Sequence, residues 1–115
     1  MQTVVETEDY LRDAKASGLT AAEREAIIAT LASTPDLGDV IPGTGGARKL
    51  RVAAKGKGKS GGYRVITLYA GDAIPVFLLN VFAKNERVDL TQAERNELRG
   101  ILSDMVQAYT KRRSN

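Results

Sequence analysis

A basic, glycine-rich segment between two strand-like runs constrains the fold of this chain more than any other feature. The segment Arg48–Tyr69, RKLRVAAKGKGKSGGYRVITLY, contains seven Lys and Arg residues and no Asp or Glu, whereas the whole chain has a net charge of only +3. Polar and apolar residues alternate before the KGKGKSGG core, and an apolar, β-branched run follows it. Such runs on both sides of a glycine-rich loop are typical of a β-hairpin. We therefore predict two strands joined by a basic loop.

Length and composition indicate one soluble domain spanning residues 1–115. No apolar run approaches the roughly 18 residues of a membrane span, and the acidic N-terminus does not resemble a signal peptide, so we expect a cytoplasmic protein with no membrane partner. The chain has no Cys and no His, which excludes disulfides, thiolate nucleophiles, His-based triads and the usual zinc sites. We expect no cofactor and no metal.

Charge is distributed unevenly along the chain. The first 46 residues contain eight acids and three bases, whereas the bases of the next segment are unopposed. A basic patch of this kind favours a polyanionic partner, although a solvated lysine loop that only keeps a sheet soluble explains it equally well.

The first part of the chain predicts a strand and two helices. Residues 2–5 favour a short edge strand, and Thr7 is suited to cap a helix that ends at Ser17-Gly18. The TAAE pattern at residues 20–23 predicts a capping box for a second helix, which should end near Ser33. Its apolar residues are Ala26, Ile27, Ala29 and Leu31. We expect the two helices to form a hairpin that covers one face of a sheet.

The middle of the chain predicts a three-stranded meander. Residues 35–46 form a turn-rich connector, and strands follow at about 47–53, 63–69 and 74–83. The last of these is nearly all apolar, which predicts a central strand buried on both faces, with Pro75 tolerated at its beginning.

A capping box at residues 91–94 predicts a C-terminal helix. Its apolar stripe comprises Leu98, Ile101, Leu102, Met105, Val106 and Tyr109. Such a stripe is more typical of a cover for the sheet than of a binding groove. The predicted fold class is therefore α+β, with a small antiparallel or mixed sheet flanked by an N-terminal helical hairpin and a C-terminal helix.

Two glycine-rich motifs do not support nucleotide binding. A phosphate loop ending at Lys59-Ser60 would need glycine where Ala53 stands and a helix after Ser60, where a strand is predicted. The sequence GTGGA at residues 43–47 lacks the third glycine of a dinucleotide fingerprint and precedes no predicted helix.

The remaining candidates are cationic. Arg64 lies on the strand directly after the basic loop, and Lys84 and Arg87 follow the next strand, which a meander places alongside it. Together with Tyr63 and Asn85, these residues could hold a phosphodiester and stabilise the added charge of its transition state. Spacing alone leaves open the alternative that they are ordinary charges at the edge of a sheet.

The sequence as a whole resembles the RelE/HigB toxins of bacterial type II toxin-antitoxin modules. The resemblance is strongest in GDVIPGTGGARKLRVAAKGKGKSGGYRV and FLLNVFAKNERVDLT and extends over essentially the whole chain. It implies a small sheet flanked by helices, and a metal-independent, ribosome-dependent endoribonuclease that cuts mRNA in the A site. Cleavage would proceed through attack by the ribose 2′-hydroxyl on the neighbouring phosphate.

The resemblance also implies roles for particular residues. Arg64 corresponds to the arginine at the scissile phosphate and Lys84 to a second catalytic cation. Apart from the resemblance, Tyr69 is a weaker candidate for proton transfer or base stacking, because a tyrosine on a strand is more often packed than catalytic. The identity of the general base is not determined, because the tyrosine near the C-terminus, Tyr109, belongs to the apolar stripe. A lysine of the basic loop is one candidate. The residues expected to contact RNA or the ribosome are Lys55, Lys57, Lys59, Arg48, Arg51 and Arg87.

The implied partners are the ribosome, mRNA and a cognate helix-turn-helix antitoxin, with the free toxin a monomer. Two alternatives remain open. The first is a non-catalytic nucleic-acid-binding module that uses the same basic face. The second is a ParE-like toxin directed against gyrase, which would share the fold without the ribonuclease site.

Overall fold

The computed structural model describes residues 2–53, 62–83 and 90–114, without the side chains of 111–114. Within these residues, five strands form one mixed sheet and three helices pack on it. The elements are β1 Val4–Glu6, α1 Glu8–Ser17, α2 Ala21–Ser33, β2 Asp39–Val40, β3 Ala47–Val52, β4 Tyr63–Leu68, β5 Val76–Ala83 and α3 Gln92–Ser114. The predicted α+β class is confirmed.

The sheet has the strand order β1-β5-β4-β3-β2. Strands β3, β4 and β5 form the predicted antiparallel meander, and β1 pairs in parallel with β5 at the edge, with Val4 opposite Val76. Although β5 is buried and interior as predicted, β4 occupies the middle of the sheet and all six of its residues are buried. The prediction of an interior strand buried on both faces is therefore confirmed for β5, while β4 is the middle strand of the five.

The turn-rich connector contains a strand that the sequence does not predict. β2 is a two-residue edge strand, and its Asp39 lies opposite Lys49 of β3. It follows Gly38, which has a φ of +95° and lies so close to β3 that a Cβ at this position would be 2.7 Å from the Lys49 carbonyl oxygen. Two residues are too few to show a period-two pattern, so this pairing is decided by tertiary contact.

The N-terminal helices begin and end where the sequence predicts. The Thr7 hydroxyl accepts a hydrogen bond from the Tyr10 amide at 3.2 Å, and Gly18 ends α1 with a φ of +79°. At the start of α2, Thr20 and Glu23 make both hydrogen bonds of a capping box. These contacts satisfy amides at helix N-termini that have no partner within the helix.

The sheet separates two apolar cores. On one face, residues of α1 and α2 such as Tyr10 and Leu31 pack with Val65 of β4, so the predicted helical hairpin covers this face. On the opposite face, Leu98 and Leu102 of α3 pack against the sheet. We call these the α1/α2 face and the α3 face.

A β-bulge in β5 changes which face of the sheet its successive side chains occupy. Ile66 pairs with Asn80 but Thr67 pairs with Leu78, which leaves Leu79 as the additional residue. The Asp13 carboxylate of α1 holds the bulge, because its Oδ2 accepts from Asn80 Nδ2 at 3.0 Å and from the Val81 amide at 3.3 Å. Such bulges bend a strand and shift its alternation.

The C-terminal helix confirms its predicted capping box and most of its predicted apolar stripe. Thr91 and Glu94 exchange hydrogen bonds of 2.9 and 3.1 Å, and Tyr109 contacts Phe77 edge to face, with ring centroids 5.7 Å apart. The exception is Ile101, whose exposed fraction is 45%. None of the helices in the described ranges is both long enough and apolar enough to cross a membrane.

Candidate functional site

Three cationic residues lie in adjacent positions on the α3 face of the sheet. Arg51 is directly opposite Arg64 across β3 and β4, and Lys49 is opposite Ile66. Ile66 packs in the α3-face core, and residues two apart in a strand share a face. Lys49, Arg51 and Arg64 therefore form one group, which we call the cationic patch.

Arg64 is the buried member of the cationic patch. Only 4% of its surface is exposed, and its Nε has no hydrogen-bond partner among the described residues. It also makes no salt bridge with any of them. A buried guanidinium without an anionic partner is costly, which makes this position favourable for an anionic ligand.

The neighbouring charge of Arg51 adds to that cost. Directly opposed residues in an antiparallel pair have Cβ atoms about 4.5–5.5 Å apart, and like charges at this spacing are destabilising. Arg51 is exposed, so its guanidinium is accessible to a ligand that approaches the sheet. A phosphate between the two would accept charge-assisted hydrogen bonds from both guanidinium groups.

The sequence prediction names Arg51 and Arg64 but not Lys49 for this site. The missed signal is the spacing of Lys49 and Arg51, which are two residues apart in a predicted strand and must share a face. The register then places this pair beside Arg64, which spacing alone does not show.

Several other predicted site residues lie outside the described residues. They are Lys55, Lys57 and Lys59 of the basic loop, together with Lys84, Asn85 and Arg87 after β5. The predicted convergence of Lys84 and Arg87 with Arg64 therefore stays a prediction.

Arg48 faces away from the cationic patch. Its strand neighbours Leu50 and Val52 pack against the α1/α2-face core, and its Nη1 donates to the carbonyl oxygens of Asp36 at 3.0 Å and Gly38 at 3.2 Å. Arg48 thus holds the connector before β2, and the structure does not place it with Arg51 and Arg64.

The two tyrosines considered for the site also lie elsewhere. Tyr69 is five residues beyond Arg64, which corresponds to roughly 16 Å along a strand. Its hydroxyl donates to Asp72 Oδ1 at 2.9 Å, and this hydrogen bond raises the pKa of Tyr69. Tyr63 is buried in the α1/α2-face core. The structure therefore does not bring Tyr63 or Tyr69 together with Arg64, and a role for Tyr69 in proton transfer or base stacking stays a prediction.

The acidic residues do not assemble into a metal centre in the described part of the chain. No three Asp or Glu side chains there are grouped closely enough to hold an ion. The chemistry available at the cationic patch is that of cations: binding an anion, orienting it and stabilising additional negative charge.

The comparison with known proteins identifies the family. The family model described as the RelE toxin of the RelE/RelB toxin-antitoxin system matches residues 3–113. A solved structure of a mutant of the E. coli toxin RelE in the free state is similar over 93% of this chain and 96% of that chain, at 17% sequence identity and a TM-score of 0.49. The match of the family model over nearly the full length shows that this chain belongs to the RelE toxin family.

Proposed function

We propose that this chain is the toxin of a type II toxin-antitoxin module and that it inhibits translation by cutting mRNA in the ribosomal A site. Membership of the RelE toxin family supports the toxin assignment. The catalytic part of the proposal rests on the buried guanidinium of Arg64. Its Nε has no hydrogen-bond partner among the described residues, and Arg51 lies directly opposite.

Cleavage would use the mRNA itself as the nucleophile. The ribose 2′-oxygen bonds to the adjacent phosphorus, its proton passes to a base, and the bond from phosphorus to the 5′-oxygen breaks. The departing 5′-oxygen takes up a proton, which leaves a 2′,3′-cyclic phosphate and a 5′-hydroxyl. The phosphorane formed on the way has one more negative charge than the diester, and donors aimed at that charge lower the barrier.

In this proposal Arg64 contacts the scissile phosphate and Arg51 contacts a second phosphate oxygen. Lys49 and the loop residues Lys55, Lys57 and Lys59 are the candidate bases, and Lys84 is a further candidate cation or proton donor. The proposal assigns no catalytic step to Tyr69, because its hydroxyl lies beyond the other end of β4 and donates to Asp72. The reaction requires no metal ion, since cationic side chains carry the transition-state charge.

The ribosome would position the substrate. Arg51 is exposed and Lys49 is half-buried on the strand surface, so the cationic patch alone offers few contacts to orient a flexible RNA. Alignment of reacting groups contributes a large part of catalysis, and we therefore expect weak cleavage of free RNA. We further propose a cytoplasmic protein, monomeric when free, that is controlled by a helix-turn-helix antitoxin.

A reconstituted translation assay tests this function. Ribosomes with a defined codon in the A site are mixed with the purified chain, and the RNA ends are mapped. The wild-type chain should cut within the codon, whereas Arg64→Ala and Arg64→Lys should cut at least about 100-fold more slowly, since a lysine cannot reproduce bidentate contacts. Arg12→Ala is the matched control, because Arg12 is exposed and its one ion pair within the described residues is with the neighbouring Asp9.

Two results would contradict the proposal. Ribosome binding without any cleavage would favour a non-catalytic binding module. Intact mRNA together with inhibition of DNA supercoiling by gyrase would favour a ParE-like toxin.

A further inference from the structure

A groove between α1, β5 and α3 lies apart from the cationic patch. Its volume is about 260 Å³, and none of the three residues of the cationic patch lines it. Leu79, Leu98 and Met105 form its apolar part, and the exposed side chain of Ile101 stands at its edge. Leu79 is the additional residue of the β5 bulge, so this irregularity of the sheet contributes to the groove.

The polar lining of the groove is acidic. Asp9 lies on the α1 side, and Glu94 and Glu97 lie on α3. The Glu97 side chain makes no hydrogen bond or salt bridge with any other described residue. Asp9 pairs with Arg12 at 3.2 Å, but both side chains are more than two-thirds exposed, at 67% and 74%, and such surface pairs are weak. The groove therefore offers negative charge around an apolar surface.

These properties identify the kind of ligand. A negative rim repels RNA phosphates and anionic lipid headgroups. The volume is below the roughly 300–1,000 Å³ typical of small-molecule pockets, and suits one or two apolar side chains. Ile101 belongs to the apolar stripe of α3 but is left uncovered, which is how amphipathic helices present anchors to a partner.

We propose that this groove binds a basic amphipathic segment of a partner protein. One or two apolar side chains of the segment would pack on Leu79, Met105 and Ile101. Its Lys or Arg residues would pair with Asp9 and Glu97. A segment seated here would leave Arg51 and Arg64 uncovered, and this proposal does not depend on the proposed nuclease activity.

The test measures the affinity of the full-length chain for a synthetic peptide by fluorescence anisotropy. The probe is about four helical turns long, with Leu spaced three and four residues apart and with Lys or Arg at the other positions. In a second probe every Lys and Arg is replaced by Glu, and in a third probe every Leu is replaced by Ser. Only the first probe should bind, and it should shift the NMR signals of the Leu79, Ile101 and Met105 methyl groups.

A double variant and a matched control locate the binding site. Ile101→Ser with Glu97→Gln should weaken binding of the first probe at least about tenfold, as expected for an anchor with its charge partner. Leu11→Ser with Glu25→Gln makes the same chemical changes at exposed positions outside the groove and should leave the affinity unchanged. Circular dichroism verifies that both double variants are folded.

Three outcomes would overturn the proposal. The first is equal weakening by the two double variants, and the second is equal binding of the Glu or Ser probe. The third is concentration-dependent self-association of the chain alone that shifts the Ile101 methyl signal, because the occupant would then be a second copy of the chain.

Discussion

Arg51 and Arg64 lie directly opposite each other in the β3–β4 ladder, on the face of the sheet that α3 covers. Arg51 is exposed, whereas Arg64 has an exposed fraction of only 4%, and its Nε has no hydrogen-bond partner in the described part of the chain. Two like charges in this arrangement destabilise the free protein and favour an anion between them. The stability of the protein should therefore depend on which anion is present.

Phosphate should raise the melting temperature of the wild-type chain more than chloride does at equal ionic strength, because an anion that binds only the folded state stabilises it. Arg51→Gln should increase the free energy of unfolding in chloride by about 0.2–1 kcal/mol through loss of the like-charge pair, and should reduce the effect of phosphate. Differential scanning calorimetry in matched buffers measures both. Arg99→Gln, which removes an exposed arginine on α3, is the control, and a phosphate effect that persists unchanged in Arg51→Gln would contradict the prediction.

Tyr10 should make the protein lose stability at alkaline pH. Burial, followed by the negative charge of Glu6, raises the pKa of Tyr10 to about 12 from an unperturbed value of 10.0. Because the folded-state pKa is the higher one, the stabilisation is complete below pH 10 and is lost as the pH rises toward 12. The loss should total about 2–3 kcal/mol, since a tenfold change in a proton-binding constant corresponds to about 1.4 kcal/mol.

Urea unfolding between pH 9 and pH 12 measures this loss, with Tyr10→Phe as the comparison. The variant lacks the titrating group and the buried hydroxyl, which has no hydrogen-bond partner among the residues described. At neutral pH it should therefore be as stable as the wild type or more stable. All other titrating groups are common to the two proteins. The quantity to compare is therefore the difference between their free energies of unfolding at each pH. Parallel curves would show that Tyr10 does not carry the alkaline loss.

Asp13→Ala should destabilise the fold by about 1.5–3 kcal/mol, the range for hydrogen bonds that involve a charged group. The change removes the acceptor for Asn80 Nδ2 and the Val81 amide and so frees the β5 bulge. Asp9→Ala is the matched control on the same helix and should change stability by less than about 0.5 kcal/mol, because its ion pair is exposed. Chemical denaturation of both variants decides whether the bulge is held by Asp13.

Replacement by alanine should lower the stability of the protein at one glycine, Gly38, and raise it at another, Gly100. Gly38→Ala should cost more than about 1 kcal/mol, because the position combines a positive φ with a Cβ only 2.7 Å from the Lys49 carbonyl oxygen. Gly100 lies inside α3 with no neighbouring atom within 4 Å of an added Cβ, and its replacement should stabilise the protein by about 0.5–1 kcal/mol. Thermal unfolding of the two variants tests the difference, and a neutral Gly38→Ala would mean that β2 does not depend on this close approach.

Local hydrogen bonding explains why much of the fold is predictable from the sequence. The helix starts at Thr7, Thr20 and Thr91 depend on a side chain and an amide three residues apart, so the pattern that predicts them also makes the bonds. The antiparallel order of β3, β4 and β5 likewise follows from short connections between neighbouring strands. Arg64 could be selected in the same way, since a cation next to a basic loop is visible in the sequence.

Tertiary structure decided the features that depend on distant residues. The parallel pairing of β1 with β5 joins positions about 70 residues apart, and β2 pairs with β3 where Gly38 lies against Lys49. The register of β3 and β4 places Arg51 opposite Arg64 and Arg48 on the other face of the sheet. The β5 bulge and the position of α3 leave Ile101 exposed beside a groove. Composition and spacing determine which segments form helices and strands, but the faces they share are determined by which surfaces exclude water together.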